Sequence, residues 1–452
     1  MFTDVSELTI IGGGLAGSEA AWQAGQRGID VLLYEMRPVK FTGAHTSPYL
    51  AELVCSNSLG SKLRNRASGL LKEELRRLSS IVIKCAEDTA VPAGGALAVD
   101  RDVFAKTVTE KIEAHPRIRV IREEVIDIPD TPTIIASGPL TSESLSHAIR
   151  SITGKEHLFF YDAMAPIISQ ESINTDIAFW ALRYERGEKE KGDYINCPFD
   201  RDSYNSFISA LRKAERIELK KIDQLVDDDS DAGTQQYFEG CLPVEILAQR
   251  GREALAYGPM RPVGLIDPRN GKRPYAVVQL RQDNLAGTLY NMVGFQTNLK
   301  YKEQDRVFRL IPGLEKANFV RYGQMHRNTF ILSPALLQPT LQMRNRDDLF
   351  FAGQITGIEG YTGNIASGLL AGWNAARLLK GRNPLIMPET TMLGALCNYI
   401  SNSSSGVFQP MKANFGILPT LEGPKVRDKR ERFSTYSRRS LDALENLMSK
   451  IG

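Results

Sequence analysis

Apolar residues in this chain gather in short runs closed by glycine or by a polar turn. Leu8-Thr9-Ile10-Ile11, Asp30-Val31-Leu32-Leu33-Tyr34, Pro132-Thr133-Ile134-Ile135-Ala136 and Leu349-Phe350-Phe351-Ala352 read as strands. Helical patterns lie between and after them, over Leu15–Gln26, Lys62–Leu78, Asp102–Ala114 and Ile365–Leu379, and Thr141 or Ser142 caps a further helix. Ile118 to Ile128 reads as a pair of short strands. Alternating strands and helices over the first ~150 residues predict a nucleotide-binding α/β sheet.

From residue 156 to residue 330 the pattern changes. Aromatic and charged residues increase, and the runs Glu185–Lys191 and Asp227–Asp231 read as exposed loops. The strand at Leu349 then rejoins the first sheet, so the first domain is discontinuous in sequence. The predicted division is a cofactor domain begun by residues 1–155, an inserted α+β domain over 156–330 on the substrate side of the cleft, and completion of the first domain over 331–452. This last part holds a polar linker, Ser401–Gly406, and a basic tail.

Two glycine-rich turns give the frame its chemistry. Gly12-Gly13-Gly14-Leu15-Ala16-Gly17 joins a strand to a helix: Gly12 suits the tight turn, Gly14 the approach of backbone to a pyrophosphate, and Gly17 close helix-to-strand packing. The helix start offers N–H groups and partial positive charge to phosphates. Glu35, at the end of the second strand and about 20 residues after the glycines, suits ribose hydroxyls. The second turn, Ala352-Gly353-Gln354-Ile355-Thr356-Gly357-Ile358-Glu359-Gly360, again leads from strand to helix. A second helix start returning to one cofactor points to FAD rather than to a loosely held nicotinamide nucleotide.

Composition narrows the class. Hydrophobic content of 42% and charged content of 24% describe an ordinary globular protein, and no apolar run approaches the ~20 residues of a membrane span. Asp4 and Glu7 speak against a signal peptide, so a cytoplasmic protein without membrane association is expected. Five scattered cysteines without CxxC spacing, and five histidines without HExxH spacing, predict neither a disulfide framework nor a metal site. A net charge of +3 is too small to indicate a nucleic-acid partner, so that reading rests on the local basic cluster in the tail.

Two cysteines have surroundings suited to reactivity. Cys241 precedes Leu242-Pro243 at a helix start, where the positive end of the dipole favours thiolate. Cys55 lies in a polar loop soon after the second strand, at the sheet edge where ligands bind. An inert, partly buried thiol is the competing reading of each. Cys85, Cys197 and Cys397 read as structural.

These motifs, with Glu35-Met36-Arg37-Pro38, Glu239-Gly240-Cys241-Leu242-Pro243, Met292-Val293-Gly294-Phe295-Gln296-Thr297, His326-Arg327-Asn328-Thr329, Phe351 to Gly363 and Ala413-Asn414-Phe415-Gly416, resemble the TrmFO family nearly end to end. That family belongs to the glutathione-reductase-like flavoproteins and is related to GidA, also called MnmG. The resemblance implies a Rossmann FAD-binding domain with an inserted α+β domain, and methylation of uracil C5 in tRNA at T-loop uridine 54. 5,10-Methylenetetrahydrofolate would donate the carbon and NADPH or NADH the electrons, the methylene passing through reduced flavin to a thiol-activated uracil. It implies catalytic roles for Cys241 and Cys55, since uracil C5 becomes nucleophilic only after a group such as a thiolate adds at C6. It implies cofactor contacts from Gly12, Gly13, Gly14, Leu15, Ala16, Gly17, Glu35, Arg37, Gly353, Gln354, Gly357, Gly363, Asn364 and Ile365, and folate contacts from His326, Arg327 and Asn328. Lys412, Lys425, Arg427, Lys429 and Arg430 would meet tRNA phosphates. No obligate protein partner is implied. The alternatives are a GidA-like wobble-uridine modifier, an rRNA uracil-5-methyltransferase and a generic FAD oxidoreductase.

Overall fold

The computed structural model describes residues 7–154, 158–183, 192–217, 242–403, 408–423 and 426–451. Cys241, Lys425 and the acidic run Asp227–Asp231 lie outside the described residues, as does the run Glu185–Lys191.

The apolar runs assemble into one six-stranded sheet in the order Gln342–Met343, Arg346–Phe351, Thr133–Ile135, Glu7–Ile11, Asp30–Tyr34 and Ile118–Ile121. Neighbours run parallel except at the edge strand Gln342–Met343. Ile11 pairs with Tyr34 and with Ile135, and Ile135 pairs with Phe351, so four strands end level. Gly12, Glu35, Ala136 and Ala352 therefore leave the sheet side by side, and the two distant glycine turns meet at one edge.

The helices that follow these turns, Leu15–Gln26 and Tyr361–Leu379, are pressed against each other. A Cβ at Gly368 would stand 2.2 Å from the carbonyl oxygen of Ala16, and one at Gly372 2.3 Å from that of Ala20. Small residues on both faces bring the backbones together and fix the spacing of the two helix starts.

A second sheet, antiparallel throughout, has the order Phe179–Ala181, Tyr194–Phe199, Ala276–Gln282, Leu289–Met292, Ile167–Ser169 and Phe319–Arg321. Helix Arg201–Lys213 buries Tyr204, Phe207, Ile208 and Leu211 in the same core as this sheet. The ribbon of Leu158–Ala163 with Met325–Phe330 flanks it in sequence. The C-terminal end of Ala276–Gln282 returns to the first core: Asn57 Nδ2 donates to the Gln282 carbonyl at 2.9 Å, and Arg281 Nε donates to Asn57 Oδ1 at 2.8 Å.

Several sequence boundaries move. The helix expected over Lys62–Leu78 starts at Ala67, because Ser58–Ser61 is a strand and the Lys62 amide donates to the Gly95 carbonyl. A separate helix, Ile81–Asp88, follows, capped by Ser80. Of the strand pair expected over Ile118–Ile128, only Ile118–Ile121 forms, since Arg122 turns its guanidinium to the carbonyls of Arg37 and Pro48. Ser142, rather than Thr141, caps helix Glu143–Thr153. Ser401 and Asn402 of the expected linker complete helix Met392–Asn402.

The basic tail is anchored rather than loose. Helix Lys429–Ile451 buries Leu441 and Leu444 in the first core, and Ser437 Oγ donates to the Arg64 carbonyl at 2.6 Å. The Glu74 carboxylate accepts from the Met392 and Leu393 amides, at 2.7 and 3.0 Å, and from Ser440 Oγ. One buried acid thus caps one helix and docks another.

Candidate active site

The level strand ends open into a cleft whose lining includes Gly12, Gly14, Leu15, Ala16, Gly353 and Asn364. Gly12 has φ +105°, and a Cβ there would lie 2.6 Å from the Ala136 carbonyl oxygen. A Cβ at Gly17 would fall 1.8 Å from the Gly12 carbonyl oxygen. Gly14 is the opposite case, with nothing within 4 Å of its Cβ position, so the backbone there faces open space. Neither helix start carries a side-chain cap, which leaves first-turn N–H groups for a ligand. Asn364, in the first turn of the second helix, has a buried Oδ1 without a hydrogen-bond partner among the described residues. Such a site fits a dinucleotide, with donors for its phosphates and an acceptor for a hydroxyl or ring N–H.

The helix after the second turn begins at Tyr361, four residues earlier than its periodicity suggests. Gly363 therefore lies in its first turn and Ile365 opens the second, and both pack inward: a Cβ at Gly363 would meet Ile358, and Ile365 is in the core. Gly357, with φ +81°, turns towards Phe408. Gln354 lines the cleft and donates to Glu359 at 2.8 Å.

Glu35 also lines the cleft, but its carboxylate is heavily engaged. It accepts from the Gly13 amide at 3.0 Å and from the Arg37 amide, Nε and Nη2 at 3.0, 2.9 and 3.1 Å. Those four bonds match the roughly four acceptor sites of a carboxylate. Burial pushes Glu35 up, yet the hydrogen bonds and charge of Arg37 outweigh it and hold the acid below its ordinary value. Arg37, itself buried, reaches on to Glu52 at 2.9 Å. The acid and the arginine brace the first turn and the loop beyond the second strand.

Cys55 stands beside this cleft. Its amide donates to Tyr361 Oη at 2.8 Å, and the Ser56 amide to the same oxygen at 3.2 Å, while Val54 and Tyr361 line the cleft. Arg101 clamps the loop from behind, donating to the carbonyls of Leu53 and Cys55 at 3.0 and 3.3 Å. Asp283, at the end of the second sheet's strand, pairs with Arg101 at 3.1 Å. Burial alone would lower the Arg101 pKa, but the charge of Asp283 more than restores it. A fixed cation close to Cys55 favours its thiolate. Replacing Arg101 with Gln should shift the pH midpoint of Cys55 alkylation upward. The measurement uses a Cys241→Ser background, and an unmoved midpoint would reduce Arg101 to a purely structural role.

The other described cysteines contrast with Cys55. Cys85, Cys197 and Cys397 are buried, and burial raises each thiol pKa, to about 11 for Cys85 and about 12 for Cys397. Cys55 alone among the described cysteines is half-buried.

His326 and Asn328 alternate with Arg327 along strand Met325–Phe330, which puts His326 and Asn328 on one face. Of the Arg327 side chain nothing is described. His326 Nε2 is buried without a hydrogen-bond partner among the described residues. His45, which no motif or spacing singles out, lines the cleft and lies within electrostatic reach of His326. Burial, with Arg37 beside His45 and Arg321 beside His326, lowers both imidazoles to about 4 from 6.5. The folded state then binds fewer protons than the unfolded chain between those values. Its stability is full above pH 6.5 and declines as pH falls to about 4. Thermal melting should fall more steeply over this window in the wild type than in His45→Gln/His326→Gln; parallel profiles would count against neutral imidazoles.

Among the basic residues, Lys412 is exposed on a short strand that pairs it with Glu359, near the end of the second glycine turn. Arg427, Lys429 and Arg430 are exposed at the start of the C-terminal helix. Phe415 stacks on Phe433 at 4.4 Å and ties the two segments together.

Fold and cleft define a Rossmann-type dinucleotide-binding protein of the flavoprotein class. The family model described as glucose inhibited division protein A matches residues 7–383. The solved structure of Aquifex aeolicus GidA in the form II crystal shares the fold with a TM-score of 0.69 at 16% identity, covering 99% of this chain and 74% of that one. A relative from Pelotomaculum thermopropionicum, named methylenetetrahydrofolate–tRNA-(uracil-5-)-methyltransferase TrmFO, is 57% identical over 98% of this chain and 99% of its own length. Proteins of the same name from Halalkalibacterium halodurans and Enterococcus faecalis are each 54% identical with the same coverage. The chain belongs to the TrmFO family.

Proposed function

We propose that this chain methylates C5 of a tRNA uracil, at T-loop uridine 54, with methylenetetrahydrofolate as carbon donor and NADPH or NADH as reductant. The observation that carries the reading is a half-buried thiol, Cys55, held by Tyr361 against a dinucleotide cleft in a chain of this family. FAD, when bound and reduced, supplies the electrons and carries the carbon from the folate.

The residues of the chain then divide the remaining work. Gly14 and the two uncapped helix starts bind the dinucleotide phosphates, while Asn364 accepts from its hydroxyl or ring N–H. His326 and Asn328 present one strand face to the planar pterin. The Cys241 thiolate adds to uracil C6 and turns C5 into the nucleophile; once the carbon is joined, the Cys55 thiolate removes the C5 proton as the bond from that carbon to its carrier breaks, and a hydride added to the resulting exocyclic methylene makes the methyl group and expels the Cys241 thiolate from C6. The target base must leave its stack to reach these groups. Lys412, Arg427, Lys429 and Arg430, with Lys425, hold the backbone phosphates. Among the described residues no helix is long and apolar enough to cross a membrane, and a tRNA substrate supports a cytoplasmic reaction.

Mapping 5-methyluridine in the tRNA and rRNA of a deletion strain tests the target. Loss confined to the tRNA T-loop is expected. Loss confined to rRNA would redirect the same chemistry to the ribosome, and no loss in either would refute the reading.

A further inference from the structure

The outer end of the second sheet carries a surface that the cleft chemistry does not use. Strand Ala276–Gln282 starts there and runs to the Asn57 and Arg101 contacts beside Cys55, a length of roughly 20–25 Å for its seven residues. Before the strand, residues within 257–275 border an open groove.

This segment is ordered by its own bonds. The Asp267 amide donates to the Lys272 carbonyl, and the Gly271 amide to the Asp267 carbonyl, both at 2.9 Å. Met260 and Leu265 are buried at 0% and 1% exposure. Yet Tyr257, Val263 and Ile266 are 83%, 36% and 57% exposed on the same segment. A fixed backbone holds these apolar side chains in solvent.

Charge on this surface is asymmetric. Its acids are already engaged: Asp267 takes a bidentate grip from Arg269, Glu253 accepts from the Tyr275 hydroxyl, and Asp200 caps helix Arg201–Lys213. Arg261, Lys272 and Arg273 are exposed and have no side-chain partner among the described residues. Protein interfaces also favour Tyr and Arg, but they are depleted of Lys and of charge at their centres. Spare cations beside an exposed aromatic ring are the pattern of single-stranded RNA contact, with phosphates on the cations and an unpaired base on the ring.

We infer that this surface is a second tRNA contact, in which Arg261, Lys272 and Arg273 hold backbone phosphates and Tyr257 stacks on an unpaired base. It rests on the functional reading above. Its distance from Cys55 is within the reach of a folded RNA, since double-stranded RNA modules span about 16 base pairs.

Binding of unmodified tRNA transcript to the full-length holoprotein, titrated against salt, tests it. Arg261→Gln/Lys272→Gln/Arg273→Gln should lower the slope of log affinity against log salt by about 2–3 and weaken binding at least tenfold at moderate salt. Tyr257→Ala should weaken binding by about tenfold with little change in slope. Flavin content and melting temperature of each variant control for folding. Wild-type affinity and slope in both variants would overturn the inference and leave the exposed apolar residues to a protein partner. A wild type that binds no tRNA would instead refute the functional reading, and this surface with it.

Discussion

Gly17→Ala is expected to yield protein without FAD and with a markedly lower melting temperature. Its methyl group would fall 1.8 Å from the Gly12 carbonyl oxygen, inside any allowed contact. Relief requires the helix to lift from the strand, and the neighbouring atoms are backbone rather than a side chain that can swing away. The helix is also clamped on its other side by Gly368 and Gly372 against Ala16 and Ala20. Overpacking ordinarily costs about 1–3 kcal/mol, and this site has no compliant neighbour to keep it at the low end. Gly14→Ala makes the informative comparison. Nothing lies within 4 Å of its Cβ, so the fold should stand while the methyl group occupies the cleft and weakens FAD binding. Flavin absorbance per protein and thermal melting separate the two effects. A Gly17→Ala protein with full flavin and unchanged melting would contradict the packing described.

Cys55→Ala should retain FAD and its reduction by NAD(P)H, yet lose methyl transfer by roughly 10³-fold, within the 10²–10⁴ range of a positioned proton-transfer group. That factor corresponds to about 4 kcal/mol of transition-state stabilisation. Cys241→Ala should be at least as severe, because without addition at C6 the uracil carbon is not nucleophilic. Cys85→Ala, Cys197→Ala and Cys397→Ala remove buried thiols away from the cleft and should affect melting rather than transfer. Single-turnover incorporation of labelled methylene carbon, with flavin content measured in parallel, reads all five variants. Equal loss in every variant would point to general destabilisation, and full transfer by Cys55→Ala would remove that thiol from the mechanism.

Legibility from sequence followed the range of the interactions. The first turn was readable because Gly12, Gly14 and Gly17 answer local demands of strand, turn and helix, all within six residues. The meeting of both turns at one edge followed from parallel strands that end level. The Cys55 loop shows where local reading stops. Its partners Tyr361 and Arg101 lie 306 and 46 positions away, and Asp283 reaches Arg101 across 182. No periodicity encodes such pairings. Glu35 carries a related lesson. Its position after the strand suits ribose, but Arg37, two residues on, occupies much of its acceptor capacity, a contact that depends on how the following loop folds back. His45 escaped notice because one histidine in a polar loop has no pattern; only its position in the cleft marks it.

The most direct test of flavin-linked carbon transfer by this chain is incubation of the purified holoprotein with NADPH, carbon-labelled methylenetetrahydrofolate and unmodified tRNA transcript, followed by nuclease digestion and nucleoside analysis. Label is expected in 5-methyluridine from the T-loop, with no requirement for S-adenosylmethionine and with NADPH oxidised in step with transfer. Flavin reduction and NADPH oxidation that leave the tRNA unlabelled would contradict carbon transfer and return the chain to the class of general flavin oxidoreductases.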